Sequence, residues 1–247
     1  MVKLGRFMFR YRGVVFTAVV LVALLLSRPR YVLNRVEVDR WMDALGVFVA
    51  LLGLAVRTVT IGYEYIVRGG RNRQVYADEL VQGGVYAHTR NPMYLGNGLM
   101  IIGLALIVNA PEIYFVALPL TVLFYAAIIA AEEAYLRDKF GAQFDAYRVR
   151  VNCILPKLSG FGSSIADMRF NWRRVLVKDY NTIFLSVLAF AGLVFWDDLA
   201  IQGEAAAPAR NEVLMFIVPW LAGYLVVWGL KKTRRLEADP PRDGRAG

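Results

Sequence analysis

Two short polar segments stand against long apolar runs and carry the residue types of a ligand-binding site. The first reads RNPMYLGNG over residues 90–98, and the second is the carboxylate pair at 132–133. Arg90 offers a planar fork of donors that suits a carboxylate or a phosphate, and Asn91 offers both a donor and an acceptor. Tyr94 supplies a flat ring that can stack on a base or face a cation.

The backbone near these side chains adds further binding groups. Pro92 suits the first position of a helix, where the exposed amides carry a partial positive charge. Gly96 and Gly98 allow a ligand or another helix to approach the backbone, and Glu132 can accept hydrogen bonds from a ribose or an ammonium group. Together these groups suit a zwitterionic ligand that contains a nucleoside. The structural alternative is an ordinary membrane interface, where arginine and tyrosine are anchors and glycines only pack.

Three further residues limit the chemistry. The single cysteine, Cys153, excludes an internal disulfide and a multi-thiolate metal site. The single histidine, His88, excludes a histidine-rich metal cluster, so no metal is expected. Arg57 lies inside an apolar run, and a charge there is a functional-site hypothesis by default. Its candidate partners are Glu64, Glu132 and Glu133, unless it extends to the membrane interface instead.

The composition indicates an all-α polytopic membrane protein. The 247 residues are 57% hydrophobic and only 20% charged, which is too apolar for an ordinary soluble domain. The apolar runs approach the roughly 20 residues that cross a bilayer, and lipid requires each segment to pair its own backbone groups. In so apolar a chain, the net charge of +9 suits arginines facing anionic membrane lipids better than it suits nucleic acid.

Six apolar runs predict a bundle of about six spans. They cover 13–26, 43–65, 93–109, 113–131, 182–201 and 213–230. The sequence NAPE between the third and fourth runs predicts a tight turn, and therefore a helical hairpin. After the fourth span, apolar residues recur every three or four positions as far as Val151. This pattern predicts an amphipathic cytoplasmic interfacial helix over 132–150.

The charge distribution predicts that both termini are cytoplasmic. In that orientation 23 lysines and arginines lie inside and five outside, in keeping with the positive-inside rule. The basic loop at 27–42 fits this orientation poorly. Both polar segments then fall on the cytoplasmic side, at opposite ends of one hairpin, so they should be neighbours. The expected location is a bacterial inner membrane, although an endoplasmic-reticulum-like membrane fits equally.

These residues resemble a known family. LVQGGVYAHTRNPMYLGN, followed after the hairpin by EEAYLRDKFGAQFDAYRVRV and a proline, is similar to the isoprenylcysteine carboxyl methyltransferase and phospholipid methyltransferase superfamily. The resemblance covers 78–156 and implies a membrane-embedded transferase that uses S-adenosylmethionine. Its cofactor pocket would open to the cytoplasm, and its lipid-like methyl acceptor would enter from the bilayer. The methylated group (carboxylate, amine or hydroxyl) and the oligomeric state stay open.

The resemblance also assigns residues. By position, the cofactor contacts are Glu79, Leu80, Val81, Tyr86, Asn91, Pro92, Tyr94 and Glu132, with Arg90 and Glu133 as further pocket residues. The expected catalytic group is Arg90, Glu132 and Glu133. Arg90 would take the cofactor's carboxylate, and one of the glutamates would help an amine acceptor to lose its proton.

On this interpretation the chain has four parts. They are an N-terminal membrane hairpin (1–66), a methyltransferase-like core (67–157), a basic loop with a C-terminal membrane hairpin (158–230) and a disordered tail (231–247).

Three departures from the family pattern keep other functions open. Asn91 replaces the histidine of the family's RHP motif and cannot take up a proton at neutral pH. Phe144 replaces a tyrosine, and Ile128 stands where the prenylcysteine enzymes carry an arginine that serves their substrate. The Ile128 departure argues against a prenylcysteine acceptor. The alternatives are an NADPH-dependent, sterol-reductase-like oxidoreductase and a non-catalytic membrane protein with a degraded cofactor site.

Overall fold

The computed structural model describes residues 1–27, 31, 35–63, 77, 79–166, 168–202, 207–233 and 235–236. Over these residues the protein is all-α. The helices are α1 (Val2–Leu26), α2 (Val36–Tyr63), α3 (Pro92–Val108), α4 (Leu118–Phe140), α5 (Ala142–Arg150), α6 (Phe161–Ile165), α7 (Trp172–Gln202) and α8 (Ala207–Lys232). A 3₁₀ turn at Gly84–Ala87 precedes α3, and a π-helical turn at Ile113–Ala117 precedes α4.

Several helices are long and apolar enough to cross a membrane. Among the described residues four pass this test: Val36–Tyr63, Ile113–Phe140, Trp172–Trp196 and Met215–Lys232. Helix α1 makes a fifth if its two segments, bent by 44°, form one span. Helix α3 has 17 residues, about 25 Å at 1.5 Å per residue, which is shorter than the hydrocarbon core of about 30 Å. The multi-pass helical class is confirmed, while the count of six spans stays a prediction.

A stripe of small residues brings α2 and α3 unusually close. A Cβ added at Gly53 would lie 2.5 Å from the Gly96 carbonyl oxygen, and one added at Gly103 would lie 2.6 Å from the Ala50 Cβ. Such close contact between membrane helices requires residues without large side chains. The stripe therefore fixes the register of α2 on α3, and it places Arg57 beside the start of α3.

The described helix ends at both termini of the chain lie at the same end of the bundle. Gly5, near the start of α1, packs against Ala127 and Ala131 of α4, shortly before Glu132. Near the end of α8, the Lys231 ammonium donates to the Val177 carbonyl of α7 over 2.8 Å. Helix α7 packs against α2 and α3, and α8 packs against α7. The polar segments that the sequence singled out lie at this end of the bundle.

Two helix boundaries differ from those predicted. The helix predicted over 132–150 is broken at Gly141, whose φ of +51° is in the left-handed region that favours glycine. Helix α7 begins at Trp172, inside the predicted basic loop, because a helix continues past the apolar run that marks its passage through lipid. Residues 64–76, which hold the predicted 66/67 boundary, lie outside the described residues. So do 237–247, which form most of the predicted tail.

Candidate active site

The helical hairpin brings the two polar segments into contact. The hydroxyl of Tyr94, in the first turn of α3, donates to Glu132 Oε1 over 2.7 Å. Glu132, near the end of α4, is 6% exposed. Tyr125 lies on α4, two turns before Glu132. The centroids of the Tyr94 and Tyr125 rings are 5.4 Å apart. The two polar segments therefore lie side by side, as the predicted hairpin required.

Arg90 forms a second link between the two segments. Its Nε donates to Glu133 Oε1 over 2.9 Å, and its Nη2 lies at the same distance from that oxygen. Its Nη1 donates to the carbonyls of Val151 (2.5 Å) and Arg148 (3.2 Å). The Arg90 and Glu133 side chains are only 9% and 15% exposed. All three guanidinium nitrogens thus contact the protein itself, and they join the start of α3 to α4 and the end of α5.

A backbone segment that the sequence analysis missed lies beside the residues that precede α3. Residues 88–91 run beside residues 152–157, and several hydrogen bonds join the two segments into a frame. They include Arg90 N–H to Asn152 O (2.9 Å), Lys157 N–H to His88 O (3.0 Å), Thr89 Oγ1 to Ile154 O (2.9 Å) and Asn91 Nδ2 to Cys153 O (3.1 Å). The predicted cofactor residue Asn91 therefore holds the segment after α5. Most acceptors here are backbone carbonyls, which leave no pattern in the sequence.

His88 connects the same segments to α6. Its Nδ1 is hydrogen-bonded to the Lys157 carbonyl, its Nε2 lies 2.8 Å from the Ser164 hydroxyl, and its ring packs edge-on against Phe161. With the proton on Nδ1 donated to the carbonyl, Nε2 accepts from the serine. Both ring nitrogens thus have partners, and His88 is a buried bridge between the segment after α5 and α6.

Two of the remaining predicted residues, Tyr86 and Leu80, contact α4 and α5. Tyr86 is 4% exposed, and its carbonyl accepts a 2.8 Å hydrogen bond from the Tyr147 hydroxyl. Leu80 packs on the apolar cluster around Leu136, Glu79 is exposed and Val81 is half-buried. Pro92 is buried at the first position of α3. The contacts of these residues with a cofactor stay a prediction.

Arg57 pairs with a residue that the sequence analysis did not name. Its guanidinium holds Asp179 of α7, with Nε 3.2 Å from Oδ2 and Nη2 2.5 Å from Oδ1. Of the three candidates named from the sequence, Glu64 lies outside the described residues. The true partner is 122 positions away in the sequence, so only the packing of α7 on α2 reveals it.

The Cys153 thiol lies beside Glu133 and Asn91, and these surroundings shift its pKa. Its Sγ lies 3.7 Å from Glu133 Oε1 and 3.5 Å from Asn91 Nδ2. Burial raises the pKa of the thiol above its ordinary value of 9.0, and the Glu133 carboxylate raises this pKa further, while Arg90 opposes the shift. At neutral pH the thiol is therefore protonated and weakly nucleophilic.

We expect Glu133→Gln to lower the pKa of Cys153, because the change removes a negative charge beside the thiolate. Since the chain has one cysteine, alkylation by iodoacetamide measured from pH 7 to 10 reports on this thiol alone. The midpoint of the rate profile should move to lower pH. The control is Asp145→Asn on α5, which should leave the midpoint in place. An unchanged midpoint in Glu133→Gln would contradict the charge coupling, whereas altered access changes only the height of the profile.

Carboxylates are numerous at this end of the bundle. Within the part of the chain that the structure describes, no group of three or more His, Cys, Asp or Glu side chains could hold a metal ion.

The chain is similar to several known proteins. A family model described as phospholipid methyltransferase matches residues 42–143, which include both polar segments but neither α7 nor α8. The nickel-cobalt-cadmium resistance protein NccN of Alcaligenes xylosoxydans xylosoxydans is 30% identical over 163 residues, or 65% of this chain and 71% of that protein.

Two further relatives match over shorter stretches. The cobalt-zinc-cadmium resistance protein CzcN of Cupriavidus metallidurans is 29% identical over 119 residues, or 48% of this chain and 53% of that protein. The protein-S-isoprenylcysteine O-methyltransferase of Saccharomyces cerevisiae is 28% identical over 117 residues, or 45% of this chain and 48% of that protein. The chain thus spans about half the length of these two relatives. No solved structure matches it.

Proposed function

Because the chain belongs to the phospholipid methyltransferase and isoprenylcysteine carboxyl methyltransferase superfamily, we propose that it is an S-adenosylmethionine-dependent membrane methyltransferase. Its acceptor would be a lipid-like or membrane-partitioned molecule with a carboxylate, amine or hydroxyl group. The observation that carries this proposal is the contact between Tyr94 and the buried Glu132. It lies inside the part of the chain that the family matches.

The residues present fit this cofactor. Glu132 supplies a buried carboxylate that can accept from ribose hydroxyls or an ammonium group. The half-buried Tyr94 ring supplies a stacking face for a base or a cation. No side chain caps the start of α3. Pro92 has no N–H and the Tyr94 and Leu95 N–H groups donate to the Asn91 carbonyl, so the Met93 amide would receive the cofactor's carboxylate at the positive end of the helix. We propose this placement in preference to Arg90, whose three nitrogens already contact the protein.

The protein's own part in the reaction would be positioning. When bound, S-adenosylmethionine supplies an already activated methyl group on its sulfonium. Tyr94 and Glu132 would orient it, and the Arg90–Glu133 pair would keep α3, α4 and α5 in register around it. Such orientation can be worth about 7–11 kcal/mol. If the acceptor is an amine, Glu132 or Glu133 would take its proton.

We place the site on the cytoplasmic side of a bacterial inner membrane, with both termini on that side. Two observations support this placement. The described ends of α1 and α8 lie at the same end of the bundle as the site, and the lysines and arginines are concentrated in the loops of that end.

The direct test is ligand binding by the full-length protein in detergent, measured by titration calorimetry. We expect S-adenosylmethionine and its demethylated product to bind, and NADPH not to bind. Binding of NADPH alone would support the reductase alternative, and binding of neither would support a non-catalytic protein. If the cofactor binds, incubating membranes with methyl-labelled S-adenosylmethionine and identifying the labelled lipid would define the acceptor.

A further inference from the structure

Arg57 and Asp179 form a buried ion pair that joins α2 to α7. Arg57 lies on α2, inside the matched residues 42–143, whereas Asp179 lies on α7, outside them. The two side chains are 10% and 3% exposed. An isolated charge at such a place is strongly unfavourable, so each residue needs the other for its burial.

The pair continues into the polar motif at the start of α3. Arg57 Nη1 donates to Asn97 Oδ1 over 2.5 Å. A Cβ at Gly96 would lie 2.7 Å from Arg57 Cγ, so the missing side chain of Gly96 leaves room for the arginine. Gly96 and Asn97 of the motif thus accommodate Arg57.

Asn97 lies one helical turn after Tyr94, close to the candidate cofactor site. Because Asn97 follows Tyr94 by three positions, the two side chains lie on neighbouring parts of one helix face. A series of contacts therefore runs from Asp179 through Arg57 to Asn97, on the turn of α3 that begins with Tyr94. Tyr94 in turn holds Glu132.

We propose that Asp179 is a positioning residue for the cofactor site: it neutralises Arg57 and so allows Arg57 to hold Asn97, which fixes the turn of α3 that carries Tyr94. This inference rests on the proposed function. It makes α7 part of the frame of the site, although α7 lies outside the part of the chain that the family matches. The C-terminal hairpin then does more than anchor the protein in lipid.

The test compares two variants that each remove one hydrogen bond from the same guanidinium. Asn97→Leu breaks the contact that leads to the site. Thr182→Val removes the 3.4 Å contact on the α7 side and is the matched control. In the full-length protein, we expect Asn97→Leu to weaken S-adenosylmethionine binding by about 2- to 30-fold, and Thr182→Val to leave the affinity unchanged. Asp179→Asn keeps an acceptor oxygen but loses the charge, and it should behave like Asn97→Leu.

A second measurement does not depend on the cofactor. Asn91 precedes α3 and bonds the Cys153 carbonyl, so a displaced α3 should expose the thiol. We expect faster alkylation of Cys153 in Asn97→Leu and Asp179→Asn than in Thr182→Val. If the wild-type protein binds no S-adenosylmethionine, the proposed function is wrong, and the alkylation rates still decide the inference. Equal affinities and equal alkylation rates in all variants, with only the thermal midpoint lowered, would show that the pair merely anchors α7.

Discussion

Glu132→Gln is expected to weaken S-adenosylmethionine binding by about 10- to 150-fold, the value of a hydrogen bond to a charged group. The amide keeps an oxygen that can accept from the Tyr94 hydroxyl, so the local packing should survive. What the variant loses is the negative charge at a site that is 6% exposed. Titration calorimetry on the full-length protein measures the affinity.

The stability of this variant should change in the opposite direction. Burying a carboxylate costs more than burying an amide, so the thermal midpoint of Glu132→Gln should stay the same or rise. The control is Asp138→Asn on the exposed side of the same helix, which should leave the affinity unchanged. A fall in midpoint with unaltered affinity would assign Glu132 to the fold and not to the cofactor.

The hairpin and its polar contacts could be predicted because their signals are local. The length of each apolar run, the NAPE turn and the carboxylate pair at the end of the second run together determine which side chains face one another. Tyr94 and Glu132 are 38 positions apart, but a single turn separates their helices. The sequence therefore predicted the contact without knowledge of the other helices.

The partner of Arg57 could not be predicted, because it depends on non-local packing. Asp179 lies in a stretch that composition marks as a basic loop, and α7 begins earlier than its apolar run. The sequence alone left four possibilities for the Arg57 side chain, which were pairing with one of three glutamates and extension to the membrane interface. The position of α7 against α2 decides among them, and the small residues of the α2–α3 contact determine how far Arg57 reaches.

The glycines of the motif show a second limit. Gly96 was compatible with the approach of a ligand or of another helix, and the structure shows a helix, since the Gly53 carbonyl and the Arg57 side chain occupy that space. Residue type alone does not distinguish these two uses. The frame formed by 88–91 and 152–157 was missed for a related reason, because most of its acceptors are backbone carbonyls.

Arg90→Met is expected to lower the free energy of unfolding by about 3–5 kcal/mol, because it leaves the Glu133 carboxylate buried without its main partner. The side chain of Glu133 is only 15% exposed. The carbonyls of Arg148 and Val151 lose a donor in the same variant. Thermal unfolding of the full-length protein in detergent, followed by intrinsic fluorescence, measures the change.

Arg148→Met is the matched control, because Arg148 approaches the same carboxylate at 3.7 Å but is 44% exposed. An exposed pair of this kind contributes about 0–1 kcal/mol. Removing both buried charges in Arg90→Met with Glu133→Gln should restore part of the lost stability, since no unpaired charge is left. The same proteins separate two roles for Arg90. If Arg90 held the cofactor's carboxylate, as the sequence predicted, Arg90→Met would bind S-adenosylmethionine more weakly while keeping its thermal midpoint. A large fall in the thermal midpoint that the double variant partly reverses would instead identify Arg90 as the link that holds α3, α4 and α5 together.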